Sequence, residues 1–381
     1  MRAAFALALA VHGLIHLMGF VKAFGLAPLS QLTVPISRPM GVLWLGAALL
    51  LLAAVGALFA GPRWFWLLGA GGLVASQVAV AASWSDARFG TIANGILLGA
   101  VVFGAFAWGP LGMRTEFERR AAGALEGTAR AARDLAPITE ADLAPLPPPV
   151  QRYLRFAGVV GKPRVSAVHV RMSGRIRGSA DEPWMPFVAE QHSTFGPPRR
   201  FFWMDAKRGG LPVDVFHAYD GSGASMRVRL LSLIPLVDLD GDALTRTETV
   251  TLLNEMSIYA PSTLLDRSIE WKEIDERSAA ATFTNGPHTV TGTLVFDDDG
   301  ALADFWSDDR PSLAADGATL VQQRWSTPLF DYREQGAYRL ASRGEARYGD
   351  ANGGYTYLEF DRIEVRSDPP PATAQHSARR E

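Results

Sequence analysis

The run Val42-Leu43-Trp44-Leu45-Gly46-Ala47-Ala48-Leu49-Leu50-Leu51-Leu52-Ala53-Ala54-Val55-Gly56-Ala57-Leu58-Phe59-Ala60 carries no charge over nineteen residues. As an α-helix it would be about 28 Å long, close to the thickness of a bilayer's hydrocarbon core. Residues 3–21, 64–82 and 91–108 have the same character. A lone apolar stretch after Arg2 would read as a signal peptide, but 3–21 is long for its hydrophobic region and three more stretches follow. Trp44, Trp64, Trp66, Trp84 and Trp108 fall near the expected helix ends, where an indole prefers the membrane interface. Residues 1–110 are therefore expected to form a multi-pass bundle of four membrane-spanning helices. They hold five basic side chains (Arg2, Lys22, Arg38, Arg63, Arg88) and one acid, Asp86, although the 381-residue chain has a net charge of −2. The acidic excess belongs to the remainder, so one part is built for lipid and the other for water.

That charge balance excludes a broadly basic nucleic-acid binder. With no cysteine, disulfides, thiolate metal sites, Fe–S clusters and Cys nucleophiles are excluded too. Four spans return the chain to its starting side, which carries Arg2, Arg63, Arg114, Arg119 and Arg120 against Lys22, Arg38 and Arg88 opposite. This bias favours a cytoplasmic soluble domain. Within the bundle His12 and His16 lie four residues apart on one helix face. They are the candidates for a haem or metal site, but residues 1–110 hold no other histidine and one loop carboxylate. Two neutral imidazoles bonded to neighbouring helices or carbonyls are the favoured expectation, and no metal or cofactor is assigned. Gly95-Ile96-Leu97-Leu98-Gly99 is a GxxxG that would allow close helix approach.

Residues 111–149 read as a juxtamembrane helix, with arginines suited to headgroups or simply to water, followed by a linker stiffened at Pro145 and Pro147-Pro148-Pro149. A short helix through Val150, Tyr153, Leu154 and Ala157 opens a domain over 150–366. There the apolar period changes from 3.6 to 2: Val168, Val170 and Met172 alternate with His169, Arg171 and Ser173; Met226, Val228 and Leu230 with arginines; Val290, Leu294 and Phe296 with threonines. Turns are marked by Gly196-Pro197-Pro198, 220–223, Asn285-Gly286-Pro287, 297–300 and 352–354. The pattern predicts a mainly antiparallel β (α+β) domain with one helical insert at 243–265, broken by Pro261, and one sheet face that needs a cover or a ligand. Residues 367–381 read as a disordered tail.

These residues resemble an uncharacterised bacterial family, a domain of unknown function whose members are often tethered by membrane helices. The resemblance spans about residues 145–365. It rests on Leu146-Pro147-Pro148-Pro149-Val150-Gln151-Arg152-Tyr153-Leu154; Trp184 with Pro186-Phe187, Ala189 and Gln191; Leu253-Asn254-Glu255-Met256 with Ala260-Pro261 and Leu264-Leu265-Asp266; Asp308-Asp309-Arg310; and Trp325-Ser326-Thr327-Pro328 with Asp331-Tyr332-Arg333. The resemblance brings no catalytic residue with it. It implies a bacterial inner-membrane location, and single-anchor members imply a domain outside the cytoplasm, against the charge bias. The meander with a helical insert is also similar to the half-barrel of LolA-like lipoprotein carriers, a likeness of fold alone.

Motifs for familiar chemistry are missing. Gly223-Ala224-Ser225-Met226-Arg227 lacks the closing glycine of a nucleophile elbow, and no phosphate-binding glycine loop is present. Asp238-Leu239-Asp240-Gly241-Asp242 has its glycine misplaced for a calcium loop; Asp242 or Thr245 is expected to cap the following helix. His169, His192, His217, His288 and His376 form no metal-binding sequence motif. Polar residues among aromatics remain, and the expected ligand-binding set is Trp184, Gln191, Asp214, Glu255, Arg310, Trp325 and Tyr332, with Phe187, Trp203 and Asp309 nearby. Arg310 would meet an anionic headgroup or, alternatively, pair with Glu255 or a neighbouring acid. The leading expectation is a non-enzymatic, membrane-tethered module that binds a lipid or other amphiphile. A scaffold for a protein partner is the alternative, and a redox enzyme using His12 and His16 the second.

Overall fold

The computed structural model describes residues 2–61, 64–128, 136–221, 223–314, 319–336, 338–349 and 353–368. Pro62 and Arg63, the linker residues Arg130, Arg133 and Leu135, Ser222 and Asn352 of two expected turns, and 369–381 of the expected tail lie outside them. The chain forms two compact units, Met1–Glu116 and Phe117–Glu381.

The first unit contains α1 (Arg2–Ala23), α2 (Arg38–Ala60), α3 (Phe65–Ala82), the short α4 (Trp84–Ala87) and α5 (Gly90–Trp108). The four long helices are each apolar enough, over a sufficient length, to cross a membrane. Small residues draw them together: Ala47, Ala48 and Ala54 on α2 are almost wholly buried, with Leu51 among them. Leu7, Val11, Leu14, Val74, Val78, Ile92 and Ile96 face outward instead. A patch of this kind is costly in water and ordinary in lipid. The polar residues are inside. His12 Nε2 lies 2.9 Å from Asn94 Oδ1 and 3.2 Å from Ser76 Oγ, and His16 Nδ1 donates to the His12 carbonyl at 2.9 Å. No carboxylate or further imidazole joins them among the described residues. The Asp86 carboxylate, at the α3–α5 connection, accepts from the Thr33 hydroxyl and the Val34 N–H at 2.7 Å each, tying together two loops at one end of the bundle.

The second unit receives the chain through α6 (Met113–Thr128) and continues with α7 (Glu140–Leu143) and α8 (Pro148–Phe156). Pro148 and Pro149 occupy the first turn of α8, where a missing N–H costs nothing. Val150, Tyr153 and Leu154 are fully buried. The strands follow: β1 (Ala167–Ile176), β2 (Met185–Thr194), β3 (Arg199–Arg208), β4 (Leu211–Asp220), β5 (Gly223–Leu230) and β6 (Ile234–Asp240). Then comes α9 (Asp242–Tyr259) with a 3-10 turn at Pro261–Leu265, followed by β7 (Ile269–Asp275), β8 (Ser278–Asn285), β9 (His288–Phe296) and β10 (Leu302–Ser307). The short β11 (Ser312–Leu313) and β12 (Leu320–Val321) form a separate hairpin. The sheet is completed by β13 (Trp325–Ser326), β14 (Leu329–Gln335), β15 (Tyr338–Tyr348) and β16 (Tyr355–Asp368), the last reaching two residues into the expected tail.

All pairings are antiparallel, in the order β6-β5-β4-β3-β2-β1-β16-β15-β13-β10-β9-β8-β7, with β14 on β15. The sheet is open. Its edges are protected by sequence: Pro235, Asp238 and Asp240 on β6, and Glu270, Lys272, Glu273 and Asp275 on β7, all discourage pairing with another chain. Its shape follows from its contacts. One helix, α9, touches β5 and β6 near one edge, β15 in the middle, and β9 and β10 near the other. Nine strand spacings separate β5 from β9, about 43 Å on a flat sheet, whereas a helix is about 10–12 Å across. The sheet must therefore curl around α9, and this helix is the cover that the one-sided strand pattern requires. The Tyr219 hydroxyl on β4 lies 3.1 Å from Thr249 Oγ1 of α9, and Asn285 at the β8–β9 turn donates to it.

Candidate functional site

Helix α9 begins at Gly241, whose φ of 97° permits the abrupt turn out of β6. No side chain caps this end, contrary to the expectation for Asp242 and Thr245. Thr245 instead accepts from the Ala224 N–H at 2.9 Å and donates to the Gly241 carbonyl at 2.8 Å, because the adjacent strand end supplies a competing donor. From Thr247 to Tyr259 every residue is buried, so the helix is enclosed on all sides. Residues Leu244, Thr247, Glu248, Thr251, Asn254, Glu255 and Ile258 recur at helical spacing and share the face turned to a cavity of about 750 Å³. Met172, Phe202, Met204, Val213, Met226, Val228, Leu358 and Phe360 supply the apolar wall from the sheet, and the β11–β12 hairpin contributes Leu313 and Val321. Arg177, Glu182 and Arg208 also line it.

A strip of charge crosses this interior. Arg200 of β3 donates through Nε to both Glu255 oxygens at 2.8 and 2.9 Å and through Nη1 to Glu248 at 3.0 Å. Gln191 Nε2 donates to Glu255 at 2.6 Å and to Ser193 Oγ at 2.9 Å. His217 Nδ1 stands 3.7 Å from Glu248, and Arg310 Nη2 stands 3.9 Å from the same oxygen. Burial alone would push the Glu248 carboxyl up; Arg200, with His217 and Arg310 behind it, overrides this and holds it down at about 2. For Glu255 burial prevails over Arg200, and the charge on Glu248 adds to it, so this carboxyl is pushed up. Arg310 donates through Nε to Thr251 Oγ1 at 3.0 Å and through Nη1 to the Tyr348 hydroxyl, and its guanidinium lies 4.2 Å from the Trp325 ring centroid. Trp325 Nε1 in turn donates to Tyr357 at 3.1 Å.

Of the expected ligand-binding residues, Gln191, Glu255, Arg310 and Trp325 come together on the cavity wall. The other three stand elsewhere. The Trp184 ring centroid lies 4.6 and 4.4 Å from the guanidinium groups of Arg175 and Arg177. Asp214 points from β4 to the face opposite the cavity and accepts from Ser232. Tyr332 donates to the Leu302 carbonyl at 2.8 Å and packs on Phe156. Phe187 packs on Phe360, Trp203 on Phe117, and Asp309 binds Arg246 at 2.7 Å. Arg310 is nearest Glu248, while Glu255 belongs to Arg200. Sequence reasoning missed Arg200, His217 and Glu248, although Glu248 and Glu255 are seven residues apart, two helical turns along one face, and that spacing was available to find them.

The histidines that looked scattered are not all so. His169 and His192 are directly paired across β1 and β2, and Glu190 lies two residues from His192 on the same face. Among the described residues these three form the one cluster of imidazole and carboxylate groups close enough to share an ion.

No protein with a curated description matches the chain. Among solved structures it is similar to a LolA superfamily protein of Nitrosomonas europaea, at 10% identity and a TM-score of 0.32, covering 58% of this chain and 93% of that one. It is also similar to a DUF1329 family protein of Desulfovibrio piger, at 11% identity and a TM-score of 0.31, covering 56% and 91%. These are remote likenesses, and the fold described above stands on its own strand order. A family model matches residues 136–360, more than half of the length and the whole cavity lining except Ile363, so the chain belongs to DUF6544, a family of unknown function.

Proposed function

We propose that this is a multi-pass protein of a bacterial inner membrane whose sheet unit holds a lipid or another amphiphile without carrying out a reaction on it. The observation that carries this reading is the open-mouthed cavity of about 750 Å³ between the curled sheet and α9. Its size and its apolar wall with a few placed polar groups are those of a ligand pocket. The charges inside have opposite-sign neighbours: Arg200 bonds Glu255 and Glu248, and Arg310, held by Thr251, Tyr348 and the Trp325 ring, stands 3.9 Å from Glu248. A guest therefore gains chiefly by burying hydrocarbon, at about 25 cal/mol per Å². The polar strip serves to orient its head. Four lipid-compatible helices on the same chain give the cavity a ready source of such guests.

Native mass spectrometry of the full-length protein after detergent exchange tests the proposal. The wild type is expected to retain an adduct of lipid mass. Val228→Trp, which fills the cavity wall, is expected to lose it, and Val188→Trp, at an exposed position away from the cavity, to keep it. A wild type without adduct, or equal retention by both variants, refutes the reading.

A further inference from the structure

The outer face of the β1–β2 ladder holds a second constellation, unconnected with the cavity. Antiparallel register sets His169 opposite His192 and Arg171 opposite Glu190. Side chains two apart on a strand share a face, so Glu190, His192 and His169 converge on one side while Gln191 points to the cavity. His169 Nε2 lies 3.0 Å from Glu190 Oε1 and His192 Nε2 lies 3.6 Å from the same oxygen. All three potential donor atoms fall within 4.8 Å of one another. Donors held tetrahedrally around a divalent zinc ion are separated by about 3.4 Å, given metal–ligand distances near 2.1 Å.

A purely internal hydrogen-bond network explains only part of this arrangement. It satisfies His169, which is within bonding distance of Glu190. It leaves His192 with Nε2 3.6 Å from the carboxylate, beyond hydrogen-bonding distance. The two rings are nearly parallel, 2° between planes and 4.3 Å between centroids, with both Nε2 edges turned to Glu190. Two stacked imidazoles gain little from each other, and if both were protonated they would repel. Opening the stacked pair would turn both Nε2 lone pairs towards the space in front of the carboxylate. The side chains are 18–25% exposed, so an ion can reach them from solvent.

We propose that His169, Glu190 and His192 bind one first-row divalent transition-metal ion, with zinc the best fit. Two imidazoles and one carboxylate suit zinc and its neighbours; magnesium and calcium prefer all-oxygen sites. Three protein donors leave a fourth position for water. Phe117, whose ring lies 5.9 Å from that of His192, closes one flank. The ion would pin β1 to β2 on the face opposite the cavity.

The test uses the full-length protein in detergent, stripped with chelator and titrated with cobalt(II) alone, then with zinc as competitor. One cobalt per chain is expected, with the visible absorption of a low-coordinate nitrogen–oxygen site, displaced by zinc. His169→Gln and His192→Gln should each weaken binding about tenfold or more, and His288→Gln should leave it unchanged. X-ray absorption of the zinc-loaded wild type, which does not depend on how the variants fold, should show imidazole scattering from two ligands at about 2.0–2.1 Å. Absence of stoichiometric cobalt, unaltered affinity in the His169→Gln/His192→Gln double variant, or a spectrum without two imidazoles overturns the proposal.

Discussion

Two carboxylates one turn pair apart on α9 are treated differently by their surroundings, and that difference can be measured. Glu248 faces three cationic or potentially cationic groups, Glu255 faces Arg200 and the charge of Glu248. Removing their shared partner in Arg200→Met leaves both buried without it and should cost about 3–5 kcal/mol. Glu255→Gln replaces a carboxyl whose ionisation burial already opposes, so it should cost less than Glu248→Gln. The pH dependence has a definite sign. A carboxyl held at about 2 when folded and near 4.5 when unfolded adds stability above pH 4.5 and loses it as pH falls towards 2. The gap in denaturant midpoint between wild type and Glu248→Gln should thus be full at pH 6 and close progressively below 4.5. A gap that widened on acidification would contradict the assignment. At this scale the sequence was partly legible. Gln191, Glu255, Arg310 and Trp325 stood out as polar or aromatic residues in unlike company. Arg200 and His217 did not, because their meeting with Glu248 depends on how far β3 and β4 curl over the helix. Asp214 was misplaced because which face of a strand a residue occupies is set by register, and Trp184 because it lies in the break at 177–184 between β1 and β2, where no alternation can be read.

Among the elements, the long apolar helices were readable from length and charge alone, but the contacts between them were not. The GxxxG at Gly95 and Gly99 suggested the close approach, yet a side chain at either position would meet nothing within 4 Å. Close approaches lie elsewhere, at Gly41, Gly72 and Gly104 and most tightly at Gly19 of α1, where an added Cβ would lie 2.0 Å from the Trp44 ring of α2. A motif records only that two small residues share a face; which face meets a neighbour is decided by the other helices. Gly19→Ala should therefore destabilise the bundle by about 1–3 kcal/mol through overpacking, while Gly95→Ala and Gly99→Ala stay within about 0.5 kcal/mol of wild type or gain from better helix propensity. Unfolding of the detergent-solubilised protein by increasing SDS, followed by tryptophan fluorescence, separates these outcomes. Helix α9 shows the complementary case. Its existence was evident from the Pro261 stop and the gap between strand patterns, but burial on every side removes the apolar–polar periodicity that would have shown which face is functional.

The chain places four long apolar helices before a polar sheet unit, and the absence of cysteine makes a crossing of the membrane testable without background. Residues 24–37 connect α1 to α2, and residues 83–89 connect α3 to α5; the Asp86 clamp on Thr33 and Val34 places both connections at one end of the bundle. If the four helices cross a bilayer, the chain that leaves α5 returns to the opposite end, and the sheet unit follows it. Ser30 is exposed in the first connection, and Glu273 is exposed on the edge strand β7. Single variants Ser30→Cys and Glu273→Cys would each carry the only thiol in the protein. A membrane-impermeant maleimide applied to intact cells is expected to label one of them and not the other, and lysis should expose both. The arginine bias of the bundle's near side assigns Glu273→Cys to the protected compartment. Protection of Ser30→Cys with labelling of Glu273→Cys would reverse the orientation and keep the four crossings. Equal labelling of both in intact cells would show that the chain does not cross four times.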